Sequence, residues 1–488
     1  MRGTAETDVL IIGAGPVGMT AAAVLAEYGV RCRIVDRRPG PATGTRCTNL
    51  WPATLDAMAF MGLDVGALVE GSQPMRHKVF HLGESSFSSD LTEYGAVSPV
   101  PLIQSQDVVD GMLRDRLAGL GVKPEYGIEA TRVRADADGV TVDLVPAGDS
   151  GAVEHVRAGW LVAALGADGG TEELLGVRRV VREFPGVRVL HADARLRDRE
   201  GIGPDEEHIH LVAARSAGFV PMPDGSHRLF MVAPHDGGPP PSAAEVVAAV
   251  AEVSGRDLVP ETPGCPWQVL PVSRIAETFR MGRVLLVGGS ATALPLTVHG
   301  MNNGMQDAVN LAWKLGMVVR GTGDERLLDS YTVERRRIAR GLLEVTEKVL
   351  ALGTREDSEA THAPRFKQGK VDMCTQPTVT YRESPLSDDH GRPEGPRAGD
   401  PMPGLYDPSG GDRPRCTEWT LLVPETCAGG PVPHAELRAL ANEHRALRLR
   451  VTAPGPAVHL VRPDGFVGFR GPATATIALR DYVARFLR

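Results

Sequence analysis

The sequence predicts a multidomain α/β (α+β) protein built around a Rossmann-like nucleotide-binding domain. Two stretches, residues 8–36 and 282–315, each have the pattern of a short apolar strand, a glycine-rich loop and a helix. The chain has 488 residues, which is more than one ordinary hydrophobic core accommodates. We therefore expect two or three domains, one of them nucleotide-binding.

Composition excludes several classes of function. The net charge is −8 with acidic and basic residues well mixed, and no basic stripe suggests nucleic-acid binding. No apolar run approaches the ~20 residues of a membrane span, and the chain enters a strand almost at once, without a visible signal peptide. The six cysteines are scattered without metal-ligand spacing. These features predict a cytoplasmic protein with reduced thiols, no bound metal and no membrane partner.

The first nucleotide motif has its full structural context. A strand at 8–12 leads into G-x-G-x-x-G, a helix follows, and Asp36 ends the next strand about 20 residues on. Gly13 permits the tight turn, Gly15 lets the backbone approach a pyrophosphate, and Gly18 lets helix and strand pack closely. A purely structural glycine turn does not explain Asp36, which suits an adenosine ribose. The candidate cofactor-binding residues here are Gly13, Gly15, Pro16, Gly18, Asp36 and Arg37.

The second stretch indicates which cofactor binds, through its resemblance to a known family. We expect a strand at Val284–Val287, a break at Gly288 and Gly289, a second loop at 300–304, and a helix from Met305 to Leu315. This stretch resembles the flavin-binding motif of class A flavoprotein monooxygenases, the para-hydroxybenzoate hydroxylase fold, most closely at GMNNGMQDAVNLAWKL. The resemblance runs along nearly the whole chain and implies FAD as the cofactor.

The resemblance also implies roles for individual residues. Arg46 would contact the FAD phosphates, although a surface ion pair is the alternative. Gln104 would touch the flavin ribityl region, although it could simply be a polar residue at a strand end. Asp168, in an Asp-Gly element, would also contact the cofactor. The remaining residues that the resemblance places at FAD are Gly288, Gly289, Gly300, Met301 and Asn302.

Two motifs depart from the family pattern. The family has Gly-Asp-Ala-Ala-His where this chain has Gly288 to Thr292, so Gly289 replaces the aspartate that binds the ribityl chain. The Ser and Arg expected after Asp168 are replaced by residues 171–173, and the loop at 297–299 is one residue shorter. Loss of one charge-assisted hydrogen bond costs about 1.5–3 kcal/mol. We therefore expect FAD to be retained while the surroundings of the flavin ring have changed.

The resemblance divides the chain into four parts. Residues 1–181 and 272–353 form the FAD-binding domain, 182–271 a strand-rich insert over the substrate pocket, 354–398 a linker, and 399–488 a thioredoxin-like domain. The last part has no Cys-x-x-Cys, so a structural or dimerising role, as in a possible homodimer, is favoured over redox chemistry. The insert supplies the pocket candidates Phe219, Met222, Phe230, His235 and Trp267.

Two other patterns have plain interpretations. His208 and His210 alternate on one strand, as a metal pair would, but no third ligand is evident, so a solvated strand edge is favoured. The run Glu334 to Arg337 lies on a long predicted helix and is interpreted as a solvated face with ion pairs.

Three functions compete for this sequence. The altered flavin surroundings favour a redox-neutral tailoring enzyme that keeps FAD as a scaffold and closes rings on a polyketide-like substrate by [4+2] cycloaddition, of the dialkyldecalin type. The alternative is an FAD- and NAD(P)H-dependent aromatic hydroxylase of a polyketide. A non-catalytic binding protein is the third, and the intact dinucleotide loop argues against it. The sequence assigns no catalytic acid or base.

Overall fold

The computed structural model describes residues 7–42, 47–92, 97–148, 151–198, 200–212, 215–260, 267–296, 299–352, 379–391, 395–403, 405, 416–427 and 432–488. Within these ranges the helices are α1 Pro16–Glu27, α2 Pro52–Phe60, α3 Val65–Glu70, α4 Gln106–Gly119, α5 Thr171–Leu175, α6 Ala243–Ser254, α7 Gly300–Val319, α8 Arg326–Leu352, α9 His434–Glu443 and α10 Thr476–Phe486.

The strands follow the same chain order. They are β1 Thr7–Ile12, β2 Cys32–Asp36, β3 Asn49–Leu50, β4 Gln73–Pro74, β5 His77–Leu82, β6 Ser85–Asp90, β7 Leu102–Ile103, β8 Glu125–Tyr126, β9 Ile128–Ala135, β10 Val140–Pro146, β11 Glu154–Ala163, β12 Arg179–Glu183, β13 Val187–Leu196, β14 Glu206–Val212, β15 Arg215–Pro221, β16 His227–Pro234, β17 Leu258–Pro260, β18 Trp267–Val269, β19 Val272–Ala276, β20 Arg280–Met281, β21 Val284–Leu286, β22 Thr292–Ala293, β23 Asp388–Asp389, β24 Trp419–Pro424, β25 Leu447–Thr452, β26 Val458–Val461 and β27 Val467–Gly471.

The first sheet is the predicted nucleotide-binding sheet. Its strand order is β20-β21-β11-β1-β2-β8, and β1 pairs in parallel with both β2 and β11. Residues 9–12 of β1 are at most 4% exposed, as expected for a parallel strand that is covered on both faces. Helix α1 packs against α7. The two helices meet closely because Gly316 has no side chain, and a Cβ there would lie 2.6 Å from the Tyr28 ring.

The second sheet lies over the first domain, and we call it the roof sheet. Its order is β17-β13-β16-β15-β14-β5-β6, with β18 also paired to β13. Strands β5 and β6 come from residues 77–90, far before the predicted insert, and β14 pairs in parallel with β5. The sheet is therefore assembled from two separate parts of the chain. The domain boundaries inferred from sequence stay a prediction.

The two faces of the roof sheet have different neighbours. Helix α6 covers the outer face, where residues such as Leu190, Phe219 and Leu229 form one apolar cluster with Val246 and Val250. The inner face turns toward the nucleotide-binding domain. There Val220, Met222 and Phe230 pack against Trp51 and Ile103.

The C-terminal sheet has the order β23-β27-β26-β24-β25. Strands β24 and β25 are parallel and joined through α9, while β26 and β27 form an antiparallel hairpin whose Asp-Gly turn places Gly465 at φ +83°. This confirms the predicted fold class, including the thioredoxin-like unit. Strand β23 belongs to the segment predicted as a linker. Cys416 and Cys427 are free thiols.

A buried ionic cluster joins α7 and α8 to the β26–β27 hairpin. It consists of Lys314, Glu334, Arg462 and Asp464, whose side chains are 0–4% exposed. Glu334 lies 2.7 Å from both Lys314 Nζ and an Arg462 guanidinium nitrogen. Burial opposes ionisation of Glu334, but the charges of Arg462 and Lys314 outweigh it and hold its pKa far below the usual value. The interpretation of Glu334 as part of a solvated helix face is therefore wrong.

Candidate functional site

The loop after β1 is shaped to receive a diphosphate. Gly13 has φ +105°, and a Cβ there would lie 2.2 Å from the Ala164 carbonyl oxygen. A Cβ on Gly18 would lie 1.9 Å from the Gly13 carbonyl oxygen, so close packing requires glycine at both positions. A Cβ on Gly15, in contrast, would meet no described residue within 4 Å. Open space therefore lies in front of the N-terminus of α1, where free N–H groups and the helix dipole attract a pyrophosphate.

Asp36 lies at the end of β2 beside this loop. Its carboxylate accepts a hydrogen bond of 2.8 Å from the Ala14 N–H and forms a two-pronged pair with Arg38 at 2.8 and 3.0 Å. Burial opposes ionisation, but these contacts outweigh it and lower the pKa of Asp36, so the group is anionic. Arg37 is exposed. Sequence reasoning named Arg37 and missed Arg38, although an arginine two residues after the acid suits an Asp turn.

Gln104, Asp168 and Arg46 are three other predicted cofactor contacts, of which the first two lie within the described residues. The Gln104 amide donates to the Gly71 carbonyl at 2.7 Å and accepts from the Ser105 N–H at 2.8 Å, which fits the alternative of a polar residue at a strand end. The Asp168 side chain is 90% exposed and lies 3.5 Å from Arg274. Arg46 lies outside the described residues.

The structure explains the missing aspartate at position 289. A Cβ on Gly289 would lie 2.3 Å from the Ala167 backbone nitrogen and 2.4 Å from the Gly166 carbonyl carbon. The turn after β11 thus occupies the space that a side chain would need. Arg179 donates to the Gly289 carbonyl at 3.3 Å and pairs with Glu172, one of the residues that replace the family's Ser and Arg.

Helix α7 begins at Gly300, so the second loop expected at 300–304 is wrong. The asparagine at 302 suits the helix because its side chain reaches outward, accepting from the Trp51 N–H at 3.0 Å and donating to the Asn49 carbonyl at 2.8 Å. A Cβ on Gly304 would lie 3.0 Å from the Gly288 Cα, so this glycine serves helix-to-loop contact. Gly300 itself faces open space as far as the described residues go, because a Cβ there would meet none of them within 4 Å.

Asp307 supports the glycine loop from inside α7. It is fully buried, accepts from the Gly288 N–H at 3.2 Å and pairs with Arg335 at 2.6 Å. The Arg335 guanidinium also donates to the Asn303 side chain at 2.8 Å and to the Tyr381 hydroxyl at 2.9 Å. Arg335 was predicted on a solvated face and is instead fully buried, where it fixes the geometry of the loop at 288 through Asp307.

Buried polar atoms near the start of α7 lack partners. Within the described part of the chain, Asn49 Nδ2, Trp51 Nε1, Thr292 Oγ1 and His299 Nδ1 are buried without a hydrogen bond. His299 stacks on Trp51 with 5.3 Å between ring centroids. Burial and then the charge of Lys78 lower the pKa of His299 to about 3, so it is neutral. Since unpaired buried polar groups are costly, these atoms suit a polar ring ligand. Together with the open space at Gly15 and Gly300, they fit FAD.

The predicted pocket residues of the roof sheet do not all face the site. Phe230 and Met222 lie on the inner face, and Trp267 stacks on His191 with 3.8 Å between ring centroids. Phe219 points to the outer face and packs under α6, because side chains alternate along a strand, so it is no longer a pocket candidate. His235 follows the end of β16 and is half-buried, with its backbone N–H bonded to the Gly186 carbonyl.

The histidines of β14 do not lie on a solvated edge, because β14 pairs with both β15 and β5. His208 is 2% and His210 8% exposed, and both stack with His81. Within the described ranges, no group of three His, Cys, Asp or Glu side chains suits a metal ion. Across the same ranges, none of the helices combines the length and apolar character needed to cross a bilayer.

The fold and the site define an enzyme of the flavin monooxygenase fold that binds FAD. A family model described as FAD binding domain matches residues 6–346, and the chain belongs to this family. The chain is 31% identical to 6-methylpretetramide 4-monooxygenase of Streptomyces rimosus, over 97% of this chain and 92% of that protein.

Two solved structures have a similar fold. The chain superimposes on the OxyS anhydrotetracycline hydroxylase from Streptomyces rimosus with a TM-score of 0.76 and 27% identity, covering 98% of this chain and 99% of that one. It is also similar in fold to the Diels-Alderase PyrE3 of pyrroindomycin biosynthesis, with a TM-score of 0.73 and 24% identity, covering 99% of each chain.

Proposed function

We propose that this protein is an FAD- and NAD(P)H-dependent monooxygenase that hydroxylates a polycyclic aromatic polyketide. The similarity that carries the proposal is the 31% identity along 97% of the chain to a tetracycline-pathway monooxygenase. It favours the hydroxylase alternative over the redox-neutral ring formation that the sequence first suggested. Bound FAD would supply the redox chemistry, with the nicotinamide nucleotide as reductant and O₂ as oxidant.

The protein's own residues would bind, orient and enclose the reactants. The Gly15 loop and Asp36 would hold the adenosine diphosphate part of the cofactor. Neutral His299 and the N-terminus of α7 would lie at the ring end, where the helix dipole favours negative charge on the flavin. The apolar inner face around Phe230 would exclude water from the reacting ring.

A second candidate is redox-neutral cyclisation with FAD as a scaffold. The observation in its favour is Gly289, where backbone atoms at 2.3 Å leave no room for the family's ribityl-binding aspartate. Preorganisation of a flexible substrate can lower a cyclisation barrier without an acid or base. The fold similarity to a Diels-Alderase is compatible with this candidate but does not select it.

Anaerobic reduction separates the two candidates. The purified holoenzyme is mixed with NADPH or NADH without O₂, with and without anhydrotetracycline as the aromatic probe, and flavin absorbance near 450 nm is followed. The hydroxylase predicts bleaching that the probe accelerates. If dithionite reduces the flavin but neither nucleotide does so under any of these conditions, the hydroxylase proposal is wrong and the scaffold role is favoured. A protein purified without flavin would contradict both candidates.

A further inference from the structure

The inner face of the roof sheet carries an aromatic row that runs straight across its strands. Cross-strand pairing aligns Trp267 of β18 with His191 of β13, His191 with Phe230 of β16, and Phe230 with Gly218 of β15. The His191 and Trp267 rings are parallel and stacked, with 8° between their planes and 3.8 Å between their centroids. The Phe230 ring covers Gly218, since a Cβ there would lie 2.4 Å from its edge. The row therefore brings three aromatic rings together on the inner face, and two of them carry polar nitrogens.

The polar atoms of this row have no hydrogen-bond partners among the described residues. His191 is 7% exposed, and neither of its ring nitrogens makes a hydrogen bond of normal geometry. The Leu229 backbone lies close enough to raise the pKa of His191 slightly, against the larger lowering by burial. The Trp267 indole N–H is also buried and unpartnered. Burial and then the charge of Arg228 lower the pKa of His191 to about 3, so its neutral ring offers one donor and one acceptor.

An ionic row lies two residues further along the same face. Arg228 pairs with Asp193 at 2.5 Å, and Lys78 pairs with Glu207 at 2.9 Å. Lys78 Nζ also lies 5.3 Å from the centre of the Trp51 ring, which stacks on His299 at the flavin end. The row has two positive and two negative charges and is therefore neutral overall. The Glu207 oxygen facing Lys78 accepts no hydrogen bond of normal angle, so a lone pair is left for a hydroxyl donor.

We propose that His191 is a specificity-determining residue that, together with Trp267 and the ionic row, recognises the hydroxyl and carbonyl groups of a neutral ring substrate. Hydroxyl and carbonyl groups pair with His191 and with the alternating donors and acceptors of the ionic row, since an unmatched buried polar group costs affinity. The inference rests on the proposed function, which makes the inner face of the roof sheet part of the substrate site, and it names the residue that selects among such substrates.

Equilibrium binding without any nicotinamide nucleotide tests the inference. The FAD-loaded enzyme is titrated with 1,8-dihydroxyanthraquinone and with its 1,8-dimethoxy ether, and tryptophan quenching is recorded. We expect the dihydroxy probe to bind about tenfold more tightly than the ether, as one net hydrogen bond allows. His191→Phe keeps a flat ring but removes both nitrogens, and it is expected to reduce the ratio to about one by weakening only the dihydroxy probe.

His210→Phe is the matched control. His210 is 8% exposed and its pKa is likewise lowered to about 3, mainly by burial, but it lies on the outer face. It should therefore leave the ratio unchanged. If His191→Phe does not fold, His191→Leu, which also removes both ring nitrogens, is expected to lower the ratio in the same way.

Three results would overturn the inference. They are equal binding of the two probes by the unmodified enzyme, no binding of the dihydroxy probe, or an unchanged ratio in the His191 variants, which would mean that water satisfies the imidazole. Because no reduction step is involved, an enzyme that discriminates the probes but resists NADPH would refute only the hydroxylase. An enzyme that NADPH reduces but that does not discriminate would refute only this inference.

Discussion

Replacing Arg462 by methionine should destabilise the protein strongly. The Arg462 side chain is 0% exposed and its guanidinium binds both carboxylates of the buried ionic cluster. It donates to Glu334 at 2.7 and 3.0 Å and to Asp464 at 2.9 and 2.5 Å. Methionine has a similar length, so packing is largely kept. What is lost is the cation, and two buried carboxylates then face Lys314 as the nearest remaining positive charge of the cluster.

The expected loss is about 3–5 kcal/mol in the free energy of unfolding, the usual cost of removing one partner from a buried charge network. Arg480→Met is the control in the same C-terminal unit, because Arg480 is 39% exposed and lies 3.2 Å from Glu443, which is 52% exposed. Such a surface pair contributes about 0–1 kcal/mol. Urea unfolding followed by tryptophan fluorescence measures both. A loss for Arg462→Met no larger than that for Arg480→Met would refute the reasoning.

Three further variants test other parts of the structure. Without FAD, Gly15→Ala should have the same free energy of unfolding as the unmodified protein, because the added Cβ meets no described residue within 4 Å. The variant should nevertheless bind FAD at least about tenfold more weakly in a fluorescence titration. An unchanged Kd would contradict the diphosphate assignment. Gly289→Asp, which restores the family residue, should destabilise by about 1–3 kcal/mol in urea through overpacking against Ala167, and equal stability would contradict the observed close contact. Burial and then His81 lower the pKa of His210 to about 3. Below pH 6.5 the unfolded chain therefore binds a proton at this histidine that the folded protein does not bind. The free energy of unfolding consequently falls with falling pH, by at most about 1.4 kcal/mol per pH unit from this group. His210→Phe should flatten that slope between pH 6.5 and 5, and parallel slopes would show that His210 is not the source.

Features coded by neighbouring residues were predictable. The strand, glycine loop, helix and acid of residues 8–36 lie within about one structural unit, and each glycine has a local steric reason. Local patterns failed at 300–304, where glycine and asparagine suggested a loop. There the contacts of Asn302 with the 49–51 backbone, distant in sequence, favour a helix.

The buried charges show the limit of sequence reasoning most clearly. A Glu-Arg-Arg-Arg run is the same in sequence whether it lies on a solvated helix face or in a core. Because charged side chains are usually exposed, the charge pattern alone favoured the solvated face. One signal was available: positions 334 and 335 follow the buried Leu327, Leu328 and Tyr331 at helical spacing. The partners themselves could not be foreseen, since Glu334 and Arg462 are 128 residues apart.

The sequence by itself determined the class of fold, because strand, glycine loop and helix are patterns of residue type at fixed local spacing. Its resemblance to class A flavoprotein monooxygenases implied the flavin cofactor and the loss of the aspartate at 289. Only the tertiary structure decided which face Phe219 and His191 occupy, where strands β5 and β6 pair, and that Arg335 supports the flavin loop. Those outcomes depend on contacts between segments far apart in the chain. The periodicity of a strand or helix shows which residues share a face, but only the neighbouring elements of the fold decide which of its faces is buried and against what.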